Sequence, residues 1–295
     1  MLQVAVIREH RDTILTGLKK RGLSAEGLIE EAIRLDDERK KTQQLADDLK
    51  AKSNAESKRI GELMKSGKAD EATSLRAAIA NDKEAIKKFE EDLASYEDQL
   101  LKHLYKIPNV PHAKVPAGKT PEENVTVHQH GEVPKLEADA LPHWELIKKY
   151  DIIDFDLGNK IAGAGFPVYK GKGAKLQRAL INFFLHEAEQ KGYREIQPPI
   201  VVNEASGYGT GQLPDKEGQM YFIGEDGLYL IPTAEVPITN LYRDVMVNEA
   251  DLPIKNAGYT PCFRREAGSW GAHVRGLNRL HQFDKVEIVQ ITKAE

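Results

Sequence analysis

The chain has 295 residues, 40% of them apolar and 30% charged, with 42 Lys and Arg against 46 Asp and Glu and a formal net charge of −4. That is length for about two domains, and the charged share, above the usual quarter, predicts a solvated, charge-laced part. The mild acidity excludes a generally basic nucleic-acid coat but leaves room for a local basic patch. A single cysteine, Cys262, excludes an internal disulfide and a cysteine-built zinc cluster. No apolar run is long enough to span a bilayer, and the start MLQVAVIREHRD lacks the cationic head and long apolar stretch of a secretion signal. A cytoplasmic protein with no membrane partner is expected.

Residues 1 to about 24 mix short apolar patches with Gly17 and Gly22, and a small helix is expected over Arg11 to Lys20. From Ala25 to Tyr105 there is no proline, and Ala, Glu, Lys, Leu and Asp dominate. Ser66-Gly67-Lys68 reads as a turn between two long helices. The second carries a stripe at 3/4 spacing: Ala72, Leu75, Ile79, Ile86, Phe89, Leu93, Tyr96 and Leu100, with Asp82 as its polar interruption. The first carries Leu28, Ala32, Leu35, Thr42, Ala46, Leu49, Ile60 and Leu63, with Arg39 and Ser53 on the seam. Each is about 38 residues and close to 57 Å long, and the tight turn makes them antiparallel. By composition alone such a hairpin is an interaction spacer or a dimerisation rod, since its lysines are interleaved with acids.

Pro108, Pro111, Pro116, Pro121 and Gly118 then rule out continued helix. The boundary is set there, giving a helical arm domain over 1–107 and a second domain over 108–295. Helix is expected over Trp144 to Tyr150 and over Gly173 to Lys191, the latter with an apolar face of Leu176, Ala179, Leu180, Phe183, Phe184 and Ala188 closed by Gly192. Arg194 to Val202 reads as a strand broken by Pro198 and Pro199, an edge or interface position. Gly171-Lys172-Gly173 is too short for a phosphate loop and is a plain turn.

The densest stretch is Thr260 to Glu287. An apolar strand runs through Pro261, Cys262 and Phe263 into Arg264, Arg265 and Glu266. A Gly-rich excursion with Gly268, Gly271 and Gly276 follows, and a strand returns from His281 to Glu287. Alternation puts Arg264 and Glu266 on one face, and Phe283, Lys285 and Glu287 on one face. Phe283 and Glu287 are about 13 Å apart along the strand. That spacing suits an aromatic platform for a base at one end, a carboxylate for an amine at the other and an arginine for a phosphate between them.

This block resembles motif 2 of the class II aminoacyl-tRNA synthetases, and most closely the seryl enzymes. Leu230-Ile231-Pro232-Thr233-Ala234-Glu235-Val236-Pro237, Tyr208-Gly209-Thr210-Gly211-Gln212-Leu213-Pro214 and Ile107-Pro108-Asn109 resemble the same family, in the family's order. The resemblance implies an α+β fold: a long antiparallel coiled-coil arm, then part of the class II antiparallel β-sheet domain with flanking helices. It implies a serine–tRNA ligase that makes seryl-adenylate from serine and ATP and passes the seryl group to tRNA(Ser), and usually tRNA(Sec) as well.

By the same resemblance Arg264 holds the α-phosphate, Glu266 helps hold the nucleotide and Arg275 reaches the outer phosphates, these three being the catalytic set. Arg264, Arg265, Glu266, Leu280, His281, Gln282 and Phe283 line the ATP site, Phe283 stacking on adenine. Thr233, Ala234, Glu235 and Glu287 take serine, with Thr233 and Glu235, two apart, on one side of a strand or extended turn. His273 and Trp270 read more simply as loop surface or contacts to the tRNA end. The arm over 25–105 grips tRNA(Ser), and the motif 1 region over 173–202 makes a homodimer. No metal ligand is assigned: Mg2+ accompanies ATP, and its main carboxylates are expected in a segment beyond Glu295, where the family carries motif 3. A truncated enzyme, a fragment of a longer one, and a non-catalytic tRNA-binding or coiled-coil relative all fit that ending. A synthetase-like ligase that loads a carrier protein does not need so long an arm.

Overall fold

The computed structural model describes residues 2–267 and 275–293. The chain divides into two compact units, Met1–Glu132 and Val133–Glu295.

The first unit opens with α1 (Val4–Glu9) and α2 (Arg11–Lys20), followed by α3 (Glu26–Lys65, 40 residues) and α4 (Ala69–Leu104, 36 residues). The turn falls at Ser66-Gly67, as the sequence predicts. Gly67 has φ 75°, and the Lys68 N–H reaches back to Leu63 O at 3.0 Å, closing α3 with a left-handed cap. Cross-links of falling and rising number, His103 Nε2 to Leu28 O at 2.8 Å and Lys52 Nζ to Asp82 at 3.0 Å, mark the helices as antiparallel. All eight apolar positions of the α4 stripe are buried or half-buried. Asp82, its polar interruption, is satisfied by Lys52.

At the root, Ile7, Ile14 and Leu18 pack with Ile29, Ala32, Leu35, Leu100, Leu104 and Ile107. Asp36 is buried there among Arg8, Arg39 and Lys40. Burial pushes its carboxyl up, but hydrogen bonds from Lys40, Arg39 and Arg8 outweigh it and hold it below the usual carboxylate range. The proline-rich segment folds back on α2. Lys20 Nζ donates to Ala113 O and Val115 O at 3.0 and 3.1 Å, and Arg21 donates to Asn109 O at 3.0 Å. Residues 108–132 therefore belong to the same compact unit as the arm.

The second unit runs α5 (His143–Lys149), β1 (Ile153–Asp154), α6 (Phe155–Ile161), β2 (Val168–Tyr169), α7 (Gly171–Gln190), β3 (Arg194–Glu195), β4 (Val201–Asn203), α8 (Glu204–Gly209), β5 (Phe222–Ile223), β6 (Leu228–Leu230), α9 (Glu235–Asn240), β7 (Ile254–Phe263) and β8 (Gln282–Ile291). The Pro198-Pro199 break sends β3 and β4 to different sheets. One sheet has the order β3-β7-β8 and another β4-β6-β5. The first is mixed rather than purely antiparallel, because β3 pairs parallel to β7 while β7–β8 is antiparallel; the second, with β4–β6 and β5–β6, is antiparallel throughout. The face of α7 expected to be apolar leaves Leu176, Leu180, Phe183 and Phe184 exposed, at 57, 46, 55 and 51%. Among the described residues no helix is long and apolar enough to cross a membrane.

Candidate active site

The β7–β8 hairpin is an unbroken ladder from Ile254↔Ile291 to Phe263↔Gln282. Pairing extends one step further, since the Arg264 N–H donates to His281 O at 2.9 Å. Beyond that the chain leaves the strand. The Arg265 N–H turns to Gln219 O at 2.8 Å, and Glu266 takes a left-handed backbone with φ 47°. Strand alternation therefore does not set the face of Glu266, contrary to the sequence expectation. Its position comes instead from Arg279, whose guanidinium meets the Glu266 carboxylate at 2.8 Å.

At this end of the hairpin the Arg264 guanidinium lies over the Phe283 ring at 5.1 Å. Phe283 opposes Cys262 in the ladder, so Arg264 reaches it along the diagonal of one face. Arg265 is exposed, and Leu280 is buried among side chains. His281 stacks on Phe166 with centroids 5.4 Å apart, and its Nδ1 lies 2.9 Å from the Tyr221 hydroxyl. Its N–H donates to Gly165 O at 2.9 Å. Gly165 has φ 82°, and a Cβ there would fall 2.2 Å from the His281 ring, so only glycine fits. His281 thus ties the hairpin to the Gly165–Phe166 turn, and Gln282 is exposed opposite Phe263. Arg275 is exposed, 3.6 Å from Glu145 and stacked over Trp144 at 5.1 Å. The neighbouring Leu277 N–H donates to His143 Nε2 at 2.9 Å, so α5 pins the chain just before β8. Gly268, Trp270, Gly271 and His273 lie outside the described residues.

The other end of the same face is built by a segment far away in sequence. The Phe263 N–H donates to Ile231 O at 2.8 Å, which lays the turn after Ile231 against the end of β7. Ile231, Ala234, Val236 and Ile238 are fully buried and anchor that turn. Thr233, itself 5% exposed, then donates from Oγ1 to Glu287 Oε2 at 2.6 Å. Thr233 Oγ1 accepts from Lys285 Nζ at 3.0 Å and from the Glu235 N–H at 3.2 Å, and Lys285 forms an ion pair with Glu287 Oε2. Glu235 is exposed and opens α9, where a carboxylate favours the helix N-terminus. The strand or extended turn expected for Thr233-Ala234-Glu235 gives way to a turn that enters helix at Glu235, because Val236 and Ile238 N–H groups already reach back to Thr233 and Ala234. Alternation alone does not give Glu235 the side of Thr233.

On the opposite face of β8, Asp284 accepts from Tyr259 OH at 2.6 Å and from Gln177 of α7. Burial, then the Asp284 hydrogen bond, pushes the Tyr259 phenol up to about 12. Burial raises the thiol of Cys262, which pairs with Phe283 on the site face, and keeps it protonated. Sequence reasoning missed Arg279, Phe166, Tyr221 and the Asp284 cluster. Lys285 was visible on the right face, but its partners were not. Among the described residues no group of three His, Cys, Asp or Glu side chains is placed to hold a metal.

Comparison with known proteins accords with this geometry. Residues 1–111 match the seryl-tRNA synthetase N-terminal domain, and residues 222–295 match the tRNA synthetase class II core domain (G, H, P, S and T). The serine–tRNA ligase of Salinibacter ruber is 42% identical over 99% of this chain and 68% of its own length. That of Chlorobium chlorochromatii is 44% identical over the whole chain and 70% of its length. The crystal structure of seryl-tRNA synthetase from Pyrococcus horikoshii complexed with ATP superposes with a TM-score of 0.84 at 29% identity, covering 98% of this chain and 69% of that one. The cytoplasmic serine–tRNA ligase from Naegleria fowleri in complex with AMP gives 0.79 at 25% identity, covering 99% of this chain and 67% of that one.

Proposed function

We propose that this chain, which belongs to the seryl-tRNA synthetase family, activates serine with ATP on the β7–β8 face and passes the seryl group to tRNA(Ser). The observation that carries the reading is one hairpin face with two equipped ends: Arg264 over Phe283 at 5.1 Å, and Thr233 on Glu287 at 2.6 Å. In this proposal Phe283 stacks the adenine, and the Arg264 fork binds the α-phosphate and the charge that builds on it. Glu266, steadied by Arg279, holds the nucleotide with Arg265, Leu280, His281 and Gln282 around it, and Arg275 meets the outer phosphates. Glu287, with Glu235 at the rim and Thr233-Ala234 as the floor, reads the serine ammonium and hydroxyl. A serine carboxylate oxygen attacks the α-phosphorus in line, and the bond to the β-phosphate oxygen breaks, releasing pyrophosphate. A hydroxyl of the tRNA terminal ribose then attacks the acyl carbon and AMP leaves. No covalent enzyme intermediate is needed, so catalysis is positioning and charge stabilisation. Among the described residues no donor set is placed to hold a metal, and Mg2+ belongs to the proposal as the companion of ATP.

The arm over 25–105 grips tRNA(Ser), and tRNA(Sec) is the second candidate. The exposed Leu176, Leu180, Phe183 and Phe184 of α7 support a homodimer through 173–202. A cytoplasmic site of action follows from the same reading. Amino-acid-dependent pyrophosphate exchange in the protein translated from the complete reading frame tests it. Exchange is expected with serine and not with alanine or threonine, because a site that pairs an ammonium and a hydroxyl rejects analogues that leave its polar groups unpaired. Equal exchange with alanine and serine would overturn the reading.

A further inference from the structure

We infer that Lys285 is a positioning residue of the amino-acid pocket, fixing one oxygen of Glu287 so that the other is presented to the substrate ammonium; the inference rests on the serine reading of Thr233 and Glu287. Lys285 and Glu287 are two apart on β8 and share its site face. The two donors that reach Glu287, Thr233 Oγ1 and Lys285 Nζ, both go to Oε2. Among the described residues Oε1 has no partner. The carboxylate is thus held at one oxygen and open at the other.

Thr233 completes the device. A hydroxyl has one proton and two lone pairs. Its proton goes to Glu287 at 2.6 Å, and its lone pairs take Lys285 Nζ at 3.0 Å and the Glu235 N–H at 3.2 Å. The capacity of Oγ1 is fully used, so Thr233 orients Glu287 rather than offering its hydroxyl to a ligand. Lys285 is what sets that direction. With its ammonium on one lone pair and the backbone N–H on the other, the Thr233 proton has only Glu287 to go to. Without Lys285, a lone pair of Thr233 falls vacant and Glu287 keeps one neutral donor in a partly buried site, where an unpaired charge is costly.

The test compares K285M, K285R and E287Q in the protein of the complete reading frame, with serine and ATP varied separately in pyrophosphate exchange. K285M is expected to raise the KM for serine on the order of tenfold, the size of a lost hydrogen bond to a charged group. The KM for ATP, kcat and the ligand-free melting temperature should hardly move, and K285R should recover most of the loss. In an E287Q background K285M should add little, because the carboxylate it positions is gone. If E287Q raises the serine KM and K285M does not, the Lys285 inference is overturned while the pocket stands. If K285M lowers kcat at unchanged serine KM, it is overturned too, since the residue then acts on the chemistry. If E287Q itself leaves the serine KM untouched, the serine reading of the pocket is what fails. Should K285M not fold, K285Q keeps a donor without the charge and should give an intermediate serine KM; an unchanged one counts against the inference.

Discussion

In the arm, the α4 stripe from Ala72 to Leu100 is covered at every position, and the ion pairs are mostly exposed, as with Lys50–Glu90 and Lys102–Asp98. In the β7–β8 hairpin, the groups that define the working face are polar, few and mutually dependent: Thr233, Lys285 and Glu287 at one end, Arg264, Glu266 and Arg279 near the other. The difference is one of redundancy. A seam that repeats every three or four residues tolerates the loss of one contact, and an exposed pair contributes about 0–1 kcal/mol. A hydroxyl whose three valences are all used has no substitute, and removing one partner strands the rest. The arm root resembles the site in this respect, through the buried Asp36 and its three cations.

The sharpest way to break this contrast is Arg264→Lys. Lysine is a point charge where the guanidinium is a planar fork. In the protein of the complete reading frame the adenylation rate should fall on the order of a hundredfold, about 3 kcal/mol. The ligand-free melting temperature should hardly change, because Arg264 faces the site and its partner is an aromatic face. Arg59→Lys, exposed on α3 and no part of the proposed adenylation site, is the control and should be nearly silent. A destabilised but active Arg264→Lys would make the residue a structural partner of Phe283 and remove the contrast.

The next largest effect should come from shortening the arm. The root contacts of α1 and α2 with Ile29, Leu35, Leu100 and Leu104 argue against cutting at the base. Replacing Lys41 to Glu91 by a short turn keeps them. Serine-dependent pyrophosphate exchange should stay intact, while tRNA charging efficiency drops by roughly tenfold or more and loses part of its salt dependence, as phosphate contacts release counterions. Unchanged charging would leave the arm as a mere spacer.

The same redundancy explains what was legible in the sequence. The α4 stripe could be read because its period repeats over many turns, and the Ser66-Gly67-Lys68 turn because glycine marks it. The six residues of α1 are too few to show a period, and it was not foreseen. Alternation along β8 correctly grouped Phe283, Lys285 and Glu287, since that strand runs unbroken to Ile291. It failed for Glu266 because the strand ends at Phe263, and for Glu235 because α9 begins there. The meeting of Thr233 with Glu287 spans 54 positions. No local pattern encodes it; the family motifs named both residues, but not that Lys285 joins them.

The smallest effect should come from the back of β8, where Asp284 sits between Phe283 and Lys285 in sequence but on the other face. Tyr259 is held neutral there, with its phenol pushed from 10.0 up to about 12 by burial and then by the Asp284 hydrogen bond. The folded pKa lies above the unfolded one, so the fold favours the protonated phenol. The stability this contributes is whole below about pH 10 and is lost as pH rises toward about 12. Tyr259→Phe removes the hydroxyl from a bond to a carboxylate and should lower stability at neutral pH by about 1 kcal/mol. It should also flatten the fall in melting temperature between those two pH values, because no phenol remains there to ionise. Melting curves of both proteins across that range decide the point, and parallel declines would show that Tyr259 is not the group responsible. Asp284 keeps Gln177 in the variant, so β8 stays attached to α7 and the serine KM should hardly move. A rise in serine KM as large as that expected for K285M would mean that the two faces of β8 act as one unit, and that the site's dependence on single polar contacts extends through the strand.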